Sequence, residues 1–124
     1  MALPDSTASI LLLHNPRCSK SRAALALLEQ HGVTVEVRRY LDEPLDAAEL
    51  SELARRLDRP AREWVRMGEE AYRKAKLGVA SKEKELLAAL AEHPILLERP
   101  IAVRGPRAIV GRPPEKVLEL LDES

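Results

Sequence analysis

The sequence predicts an α/β protein in which a mixed sheet carries helices on both faces. Short apolar runs typical of strands lie near both ends of the chain, and a long middle stretch shows helical spacing with almost no strand signal. The element order is βαβ, a helical insert at about residues 44–95, and ββα, which one mixed sheet accommodates. We expect residues 1–124 to form a single domain, because that length is ordinary for one.

The first half of the chain predicts two parallel strands joined by a helix. Residues 9–13 are an apolar run, and residues 19–31 place alanine and leucine at helical spacing before a glycine. Residues 33–40 alternate and are rich in valine, which is typical of a strand. A right-handed crossover makes the two strands parallel. We expect residues 1–8 to be a flexible tail.

The second half predicts helices, then a hairpin and a last helix. Asp46 is placed to cap a helix that ends near Leu57. Residues 101–103 and 108–110 flank a Gly-Pro pair and predict a hairpin. Further helical patterns lie at residues 61–67, 69–76, 81–93 and 113–121.

Composition narrows the classes of function. Lys plus Arg equals Asp plus Glu, 20 each, so the overall field is weak, which argues against general nucleic-acid or membrane binding. No apolar run reaches the roughly 18 residues of a membrane span, and the start lacks the pattern of a signal peptide. One cysteine and three scattered histidines show no metal-ligand spacing, so no metal site is expected. The lone thiol favours a cytoplasmic location.

Cys18 is the candidate reactive group. It follows the first predicted strand and begins a helix, where free backbone N–H groups and the helix dipole favour an anion. Arg17, Lys20 and Arg22 add positive charge, and His14 lies four residues upstream, so each would favour a nucleophilic thiolate. The alternative is a small buried apolar cysteine. Its charged and polar neighbours disfavour that alternative.

Ser21 occupies the position of the second cysteine in a C-x-x-C motif. A dithiol site resolves its own mixed disulfide, but a site with one thiol cannot. Any catalytic cycle must therefore take its resolving thiol from another molecule. The spacing from Cys18 to Arg22 also lacks the five-residue spacer of the cysteine phosphatase loop, which weighs against a phosphatase.

Three separated motifs resemble the glutaredoxin-coupled arsenate reductase family, which also contains a regulatory branch. They are residues 14–22 (HNPRCSKSR), residues 93–101 (HPILLERPI) and residues 111–118 (GRPPEKVL). The resemblance runs from about Ile10 to Leu121. It implies a thioredoxin-like fold with a helical insertion.

The resemblance assigns roles to individual residues. Cys18 matches the nucleophile that attacks arsenate, and His14 matches a histidine that helps to keep the thiol ionised. Arg99 and Arg112 match two of three arginines that bind the oxyanion. Pro100 matches a cis-proline beside the cysteine. Arginine forks suit such an anion because they donate aligned hydrogen bonds and stay charged.

The third arginine of that set lies in the helical insert. Arg62 is the best match, but Arg59 and Arg66 lie close by and leave the register open. A group of three residues beside the cysteine is expected to support the active site, namely Arg17, Ser21 and Arg22. We expect Tyr40 to be a partly buried packing residue whose hydroxyl reaches water.

The reaction implied by the resemblance is the reduction of arsenate to arsenite. Cys18 attacks arsenate, glutathione displaces arsenite, and glutaredoxin regenerates the thiol, so glutathione is a co-substrate and no bound cofactor is expected. Two alternatives stay open: a glutathione-dependent thiol oxidoreductase of another substrate, and a regulatory protein of the same family that binds RNA polymerase. Ser19-Lys20 stands where the best-studied branch has Gly-Thr, which leaves the substrate and the reductant open. The sequence does not determine the oligomeric state.

Overall fold

A four-stranded mixed sheet forms the centre of the molecule. The computed structural model describes residues 3–78 and 80–121. The strands are β1 (Ile10–Leu13), β2 (Val35–Arg38), β3 (Ile101–Arg104) and β4 (Arg107–Val110), in the spatial order β2-β1-β3-β4. β1 runs parallel to β2 and antiparallel to β3, and β4 runs antiparallel to β3. The predicted mixed sheet and hairpin are therefore confirmed.

Helices connect the strands and cover the sheet. The α-helices are α1 (Ser19–Gln30), α2 (Ala47–Leu57), α3 (Glu70–Lys74) and α4 (Glu83–Glu92). Three 3₁₀ segments span Ala61–Glu63, Pro94–Leu96 and Pro114–Leu121. The last of these was expected to be an α-helix. None of the described helices is long and apolar enough to cross a membrane.

α2 begins where the sequence predicts. Glu49 N donates to Asp46 Oδ1 at 2.8 Å, and Asp46 N donates to Glu49 Oε1 at 3.2 Å, which forms a capping box. Glu49 is also buried against Arg38 of β2, with Nη1 2.6 Å from Oε2. This pair links the start of the insert to the edge of the sheet.

The side chains of β1 alternate between two apolar layers. Ile10 and Leu12 lie on one face of the sheet and pack with α1 and the last 3₁₀ segment. Leu11 and Leu13 lie on the other face and pack with the insert, including the fully buried Trp64. Both faces of the sheet are therefore covered. The loop that carries Cys18 follows the last residue of β1 and lies at the end of that strand, between the two layers.

The segment before β1 packs against the body of the protein. Within the expected tail, Leu3 is only 4% exposed, while residues 5–8 lie on the surface. Arg56 Nη1 donates to the carbonyl of Pro4 at 2.6 Å, and Gly105 N donates to that of Ser6 at 3.1 Å. The remaining part of the predicted tail, residues 1 and 2, lies outside the described residues.

The expected helix over residues 61–67 is only a single 3₁₀ turn. After Ala61–Glu63 the chain becomes extended, and Val65 forms a bridge with Leu97. Arg66 N donates to the carbonyl of Leu96 at 2.7 Å, and Glu98 N donates to that of Trp64 at 3.0 Å. These backbone bonds replace helical ones. They join the insert to the segment that leads into β3.

Candidate active site

Cys18 lies at the N-cap of α1 and is partly exposed. Cys18 N donates to the carbonyl of Asn15 at 3.0 Å, and this turn carries the chain from β1 into the helix. The side chain makes no capping hydrogen bond of standard geometry. Burial raises the pKa of the thiol, but attraction from the backbone N–H groups of Ser21 and Lys20 and from the Arg99 guanidinium outweighs it, so the pKa is lowered.

Arg99 reaches Cys18 because of how β3 pairs with β1. Ile101, the first residue of β3, pairs with Leu13, the last residue of β1. The residue just before β3 and the loop just after β1 therefore meet at the same end of these two central strands. The Arg99–Pro100 peptide bond is cis, which confirms the expectation for Pro100. The cis bond between Arg112 and Pro113 was not expected from the sequence.

His14 contacts Ser21 inside the protein. Both side chains are buried, and His14 Nδ1 lies 2.6 Å from Ser21 Oγ, which also accepts from Asn15 N at 3.1 Å. Burial lowers the pKa of His14, and the positive charges of Arg39 and Arg22 lower it further. Both effects favour a neutral imidazole. It orders Ser21 in the first turn of α1.

The other basic residues near Cys18 lie on the surface and shape the loop. Arg22 Nη1 donates to the carbonyl of Pro16 at 2.9 Å, and Arg17 N donates to Asn15 Oδ1 at 3.0 Å. Both arginine side chains are exposed, as is Lys20. They make the approach to the thiol positively charged.

Arg112 lies next to Arg99 through a backbone contact. Its Nε donates to the carbonyl of Arg99 at 2.9 Å and lies 3.2 Å from Glu98 Oε1. The residue enters the site from the turn after β4, so the two arginines come from strands that pair with each other. Arg112 therefore lies beside the backbone of Arg99 and the carboxylate of Glu98.

Arg62 does not join this group, whereas Arg66 does. Arg62 is exposed, and its Nη2 donates to the carbonyl of Ser81 at 3.4 Å, beside the start of α4. Arg66 Nε lies 4.0 Å from Glu98 Oε1, and Nη1 donates to Glu69 Oε1 at 2.7 Å. The insert arginine that lies near Glu98 is therefore Arg66, whereas the expected Arg62 lies beside Ser81. The extended backbone at Val65, rather than a continued helix, turns Arg66 towards the site.

Tyr40 is a residue of the site that sequence reasoning missed. The side chain is 1% exposed, so its hydroxyl does not reach water as expected. Burial raises the pKa of Tyr40, although the nearby charges of Arg99 and Arg66 oppose this. The hydroxyl lies close to the side chains of Arg99 and Asn15 without the geometry of a hydrogen bond. Tyr40 follows β2 by two residues, and β2 is parallel to β1, so its position at the same strand end as Cys18 was the signal that could have placed it in the site.

Three buried polar atoms around Arg99 have no hydrogen-bond partner among the described residues. They are Tyr40 Oη, Arg99 Nε and Glu98 Oε1. Buried polar groups are nearly always hydrogen-bonded, so such a cluster points to a polar ligand or water in the working protein. Within the described part of the chain, no three or more His, Cys, Asp or Glu side chains are arranged to hold a metal ion.

Comparison with known proteins identifies the family. A sequence profile of the ArsC family matches residues 13–120. The chain belongs to the ArsC family. It is 45% identical over 114 residues to an arsenate reductase of Neisseria meningitidis serogroup A, across 90% of this chain and 97% of the relative. It is also 45% identical over 117 residues to the uncharacterized protein YfgD of Escherichia coli K12, across 93% and 98% of the two chains.

Solved structures agree with this assignment. An arsenate reductase from Vibrio cholerae superposes with a TM-score of 0.86 at 43% identity, across 91% of this chain and 98% of that one. The family expected from the three motifs and the thioredoxin-like α/β fold are therefore confirmed. The roles of individual site residues rest on the geometry described above.

Proposed function

We propose that this ArsC-family protein reduces arsenate to arsenite with Cys18 as the nucleophile. The observation that carries the proposal is the lowered pKa of a partly exposed thiol that lies beside Arg99. A thiolate is the form that attacks, and an adjacent guanidinium both stabilises it and attracts an oxyanion. The names of several relatives supply arsenate as the substrate.

The proposed reaction begins with attack of the Cys18 thiolate on As(V). A sulfur–arsenic bond forms, and one arsenate oxygen leaves as water after protonation. The thiol of glutathione then attacks Cys18 Sγ. The electrons of the sulfur–arsenic bond pass to arsenic, which leaves as arsenite, and a Cys18–glutathione disulfide remains. Two thiols lose two electrons and arsenic gains two.

An external thiol must complete the cycle, because Ser21 cannot resolve the disulfide. Glutaredoxin removes glutathione from Cys18 by thiol–disulfide exchange and returns the free thiol. This chemistry requires a reducing compartment, so we infer that the protein works in the cytoplasm.

Three arginines would hold the oxyanion in this proposal: Arg99, Arg112 and, in place of Arg62, Arg66. The oxyanion and the thiolate are both negative, and several cations are needed to bring them together. The unpartnered Tyr40 hydroxyl and Arg99 Nε support the assignment, because an oxyanion oxygen can accept hydrogen bonds from both. Tyr40 stays protonated near pH 7, since burial raises its pKa, and so remains a donor.

The test is arsenate-dependent NADPH oxidation in the presence of glutathione, glutathione reductase and glutaredoxin. We expect turnover with the native chain and background rates with Cys18→Ser. Thermal unfolding of the variant serves as the check that it is folded. Mass spectrometry of the resting mixture should find glutathione on Cys18 when glutaredoxin is omitted.

The absence of arsenate-dependent turnover, with Cys18 still reactive towards iodoacetamide, would sink the proposal. Glutathione on Cys18 without arsenate turnover would instead favour an oxidoreductase of another substrate. Residual turnover in Cys18→Ser above background would remove the cysteine from the role given to it.

A further inference from the structure

Glu98 lies among the arginines that would bind the oxyanion. It directly precedes Arg99 in the chain. Its Oε1 lies 3.2 Å from Arg112 Nε and 4.0 Å from Arg66 Nε. A carboxylate therefore occupies the middle of a group of cations.

The hydrogen bonding of this carboxylate is incomplete. Oε1 is buried but accepts no hydrogen bond of standard geometry, because Arg112 Nε–H is directed to the carbonyl of Arg99. A buried carboxylate oxygen can only accept, so it requires a donor. Neither arginine provides one in this arrangement.

A cleft borders the Glu98 residue. A cleft of about 300 Å³ is lined by Glu98 and Arg112, and also by the exposed residues Arg59 and Lys116. Arg112 lines the cleft and also donates to the carbonyl of Arg99, the residue whose guanidinium lies beside Cys18. Both Arg112 Nε and Arg66 Nε lie within 4.0 Å of Glu98 Oε1, so an anion held by these two arginines would lie close to the Glu98 carboxylate.

Contact between two anions at this distance is repulsive unless one of them brings a proton. The repulsion is strong in a partly buried site, where the effective dielectric is low. Hydrogen arsenate and hydrogen phosphate both carry an O–H near neutral pH, whereas sulfate carries none. The first two can donate to Oε1 and form a charge-assisted hydrogen bond, but sulfate cannot.

We propose that Glu98 makes the site selective for oxyanions that carry a proton, by accepting the ligand O–H at Oε1. Hydrogen arsenate and hydrogen phosphate enter, and sulfate is excluded although its size and shape are similar. The inference rests on the proposed binding of an oxyanion by the arginines. It adds a specificity-determining residue that the positive charges alone do not provide, because arginines attract every oxyanion.

The test measures how well each anion protects Cys18 from alkylation by iodoacetamide. Arsenate, phosphate and sulfate are titrated at constant ionic strength and pH 7.5 against the native chain, Glu98→Gln and Glu69→Gln. In the native chain, we expect half-protection by phosphate at a concentration at least about tenfold below that of sulfate, in keeping with a charge-assisted bond.

The two variants separate selectivity from net charge. Glu98→Gln places an amide donor beside the ligand, and we expect the preference for phosphate over sulfate to fall by about tenfold or more. Glu69→Gln removes the same charge from the partner of Arg66 but lies outside the Arg66–Arg112 pair. It should leave the ratio within about twofold of the native value.

Equal protection by phosphate and sulfate in the native chain would overturn the inference, and this arm needs no variant to fold. An unchanged ratio in Glu98→Gln, or the same change in Glu69→Gln, would also overturn it. In each of these cases protection by arsenate would leave the proposed function standing. Failure of all three anions to protect Cys18 would instead overturn both proposals.

Discussion

Residues 14–22, which form the loop after β1 and the first turn of α1, and the insert segment at residues 59–66 both carry more than one arginine, but they are organised differently. In the loop, the contacts that position the residues are local, such as His14 with Ser21 and Arg22 with Pro16. In the insert segment, the backbone bonds of Arg66 reach about thirty residues along the chain, to the segment before β3. The positions of the side chains can therefore be predicted from adjacent residues in the first region. In the second region they depend on a segment that is distant in the chain.

Substitution of Arg66 and Arg62 gives the sharpest contrast between the two regions. We expect Arg66→Ala to lower kcat/KM for arsenate by about 10²-fold, since it removes a guanidinium donor to the oxyanion. Arg62→Ala should change kcat/KM by no more than about twofold, because its side chain lies beside Ser81 on the surface. Coupled NADPH oxidation measures both. Equal losses in the two variants would contradict the placement of the third arginine.

Substitution of Arg99 tests whether this residue, which is distant in the sequence, lowers the pKa of Cys18 more than the adjacent Arg17 does. The guanidinium of Arg99 helps to lower the pKa of Cys18, so Arg99→Gln should move the midpoint of the alkylation pH profile to higher pH. At pH 7 the rate of alkylation should fall several-fold, because less thiolate is present.

The matched control is Arg17→Gln, which removes the same charge from the residue adjacent to Cys18. Its exposed side chain is screened by solvent, so the midpoint should move less than in Arg99→Gln. A larger shift in the adjacent variant would show that local charge dominates after all.

The smallest expected effect is the contribution of His14 to the pH dependence of the free energy of unfolding. Its pKa is lowered in the folded state, so the unfolded chain binds a proton more tightly than the native one. The free energy of unfolding should therefore decrease as the pH falls below about 6.5, the ordinary pKa of histidine. Urea unfolding between pH 7.5 and pH 5 measures it.

Replacement of His14 should flatten this dependence. We expect His14→Asn to lose about 1 kcal/mol at pH 7.5 with the Ser21 contact, and to lose less than the native chain on acidification. His31→Asn, at an exposed position, should keep the native slope. If the His14 variant retained the full acid dependence, another group would have to be responsible for it.

Much of the fold follows from the sequence because its signals are local. The Asp46 capping box, the hairpin around Gly105 and the position of Cys18 at a helix start each depend on residues a few places apart. The cis bond before Pro100 followed from the family motif and not from local spacing. These features account for the start of α2, for the pairing of β3 with β4, and for the placement of Cys18 and Pro100.

The remaining features depend on contacts between distant segments. Arg62 and Arg66 are four residues apart and look equivalent on a helix, but the pairing of Val65 with Leu97 ends the helix between them. The burial of the Tyr40 hydroxyl and the position of Glu98 follow from packing around Arg99. The attachment of residues 3–8 likewise requires Arg56 and Gly105, which lie about fifty and one hundred residues away.

The attachment of that first segment has a practical consequence. Ser6 is bonded to Gly105, in the turn at the end of β3, and β3 runs antiparallel to β1. The segment is therefore attached at the end of the strands opposite to the end that carries Cys18. A surface or a fluorophore coupled ahead of residue 3 would leave the thiol facing solution. Because Cys18 is the only cysteine in the sequence, any maleimide dye would then report on this one position without further engineering.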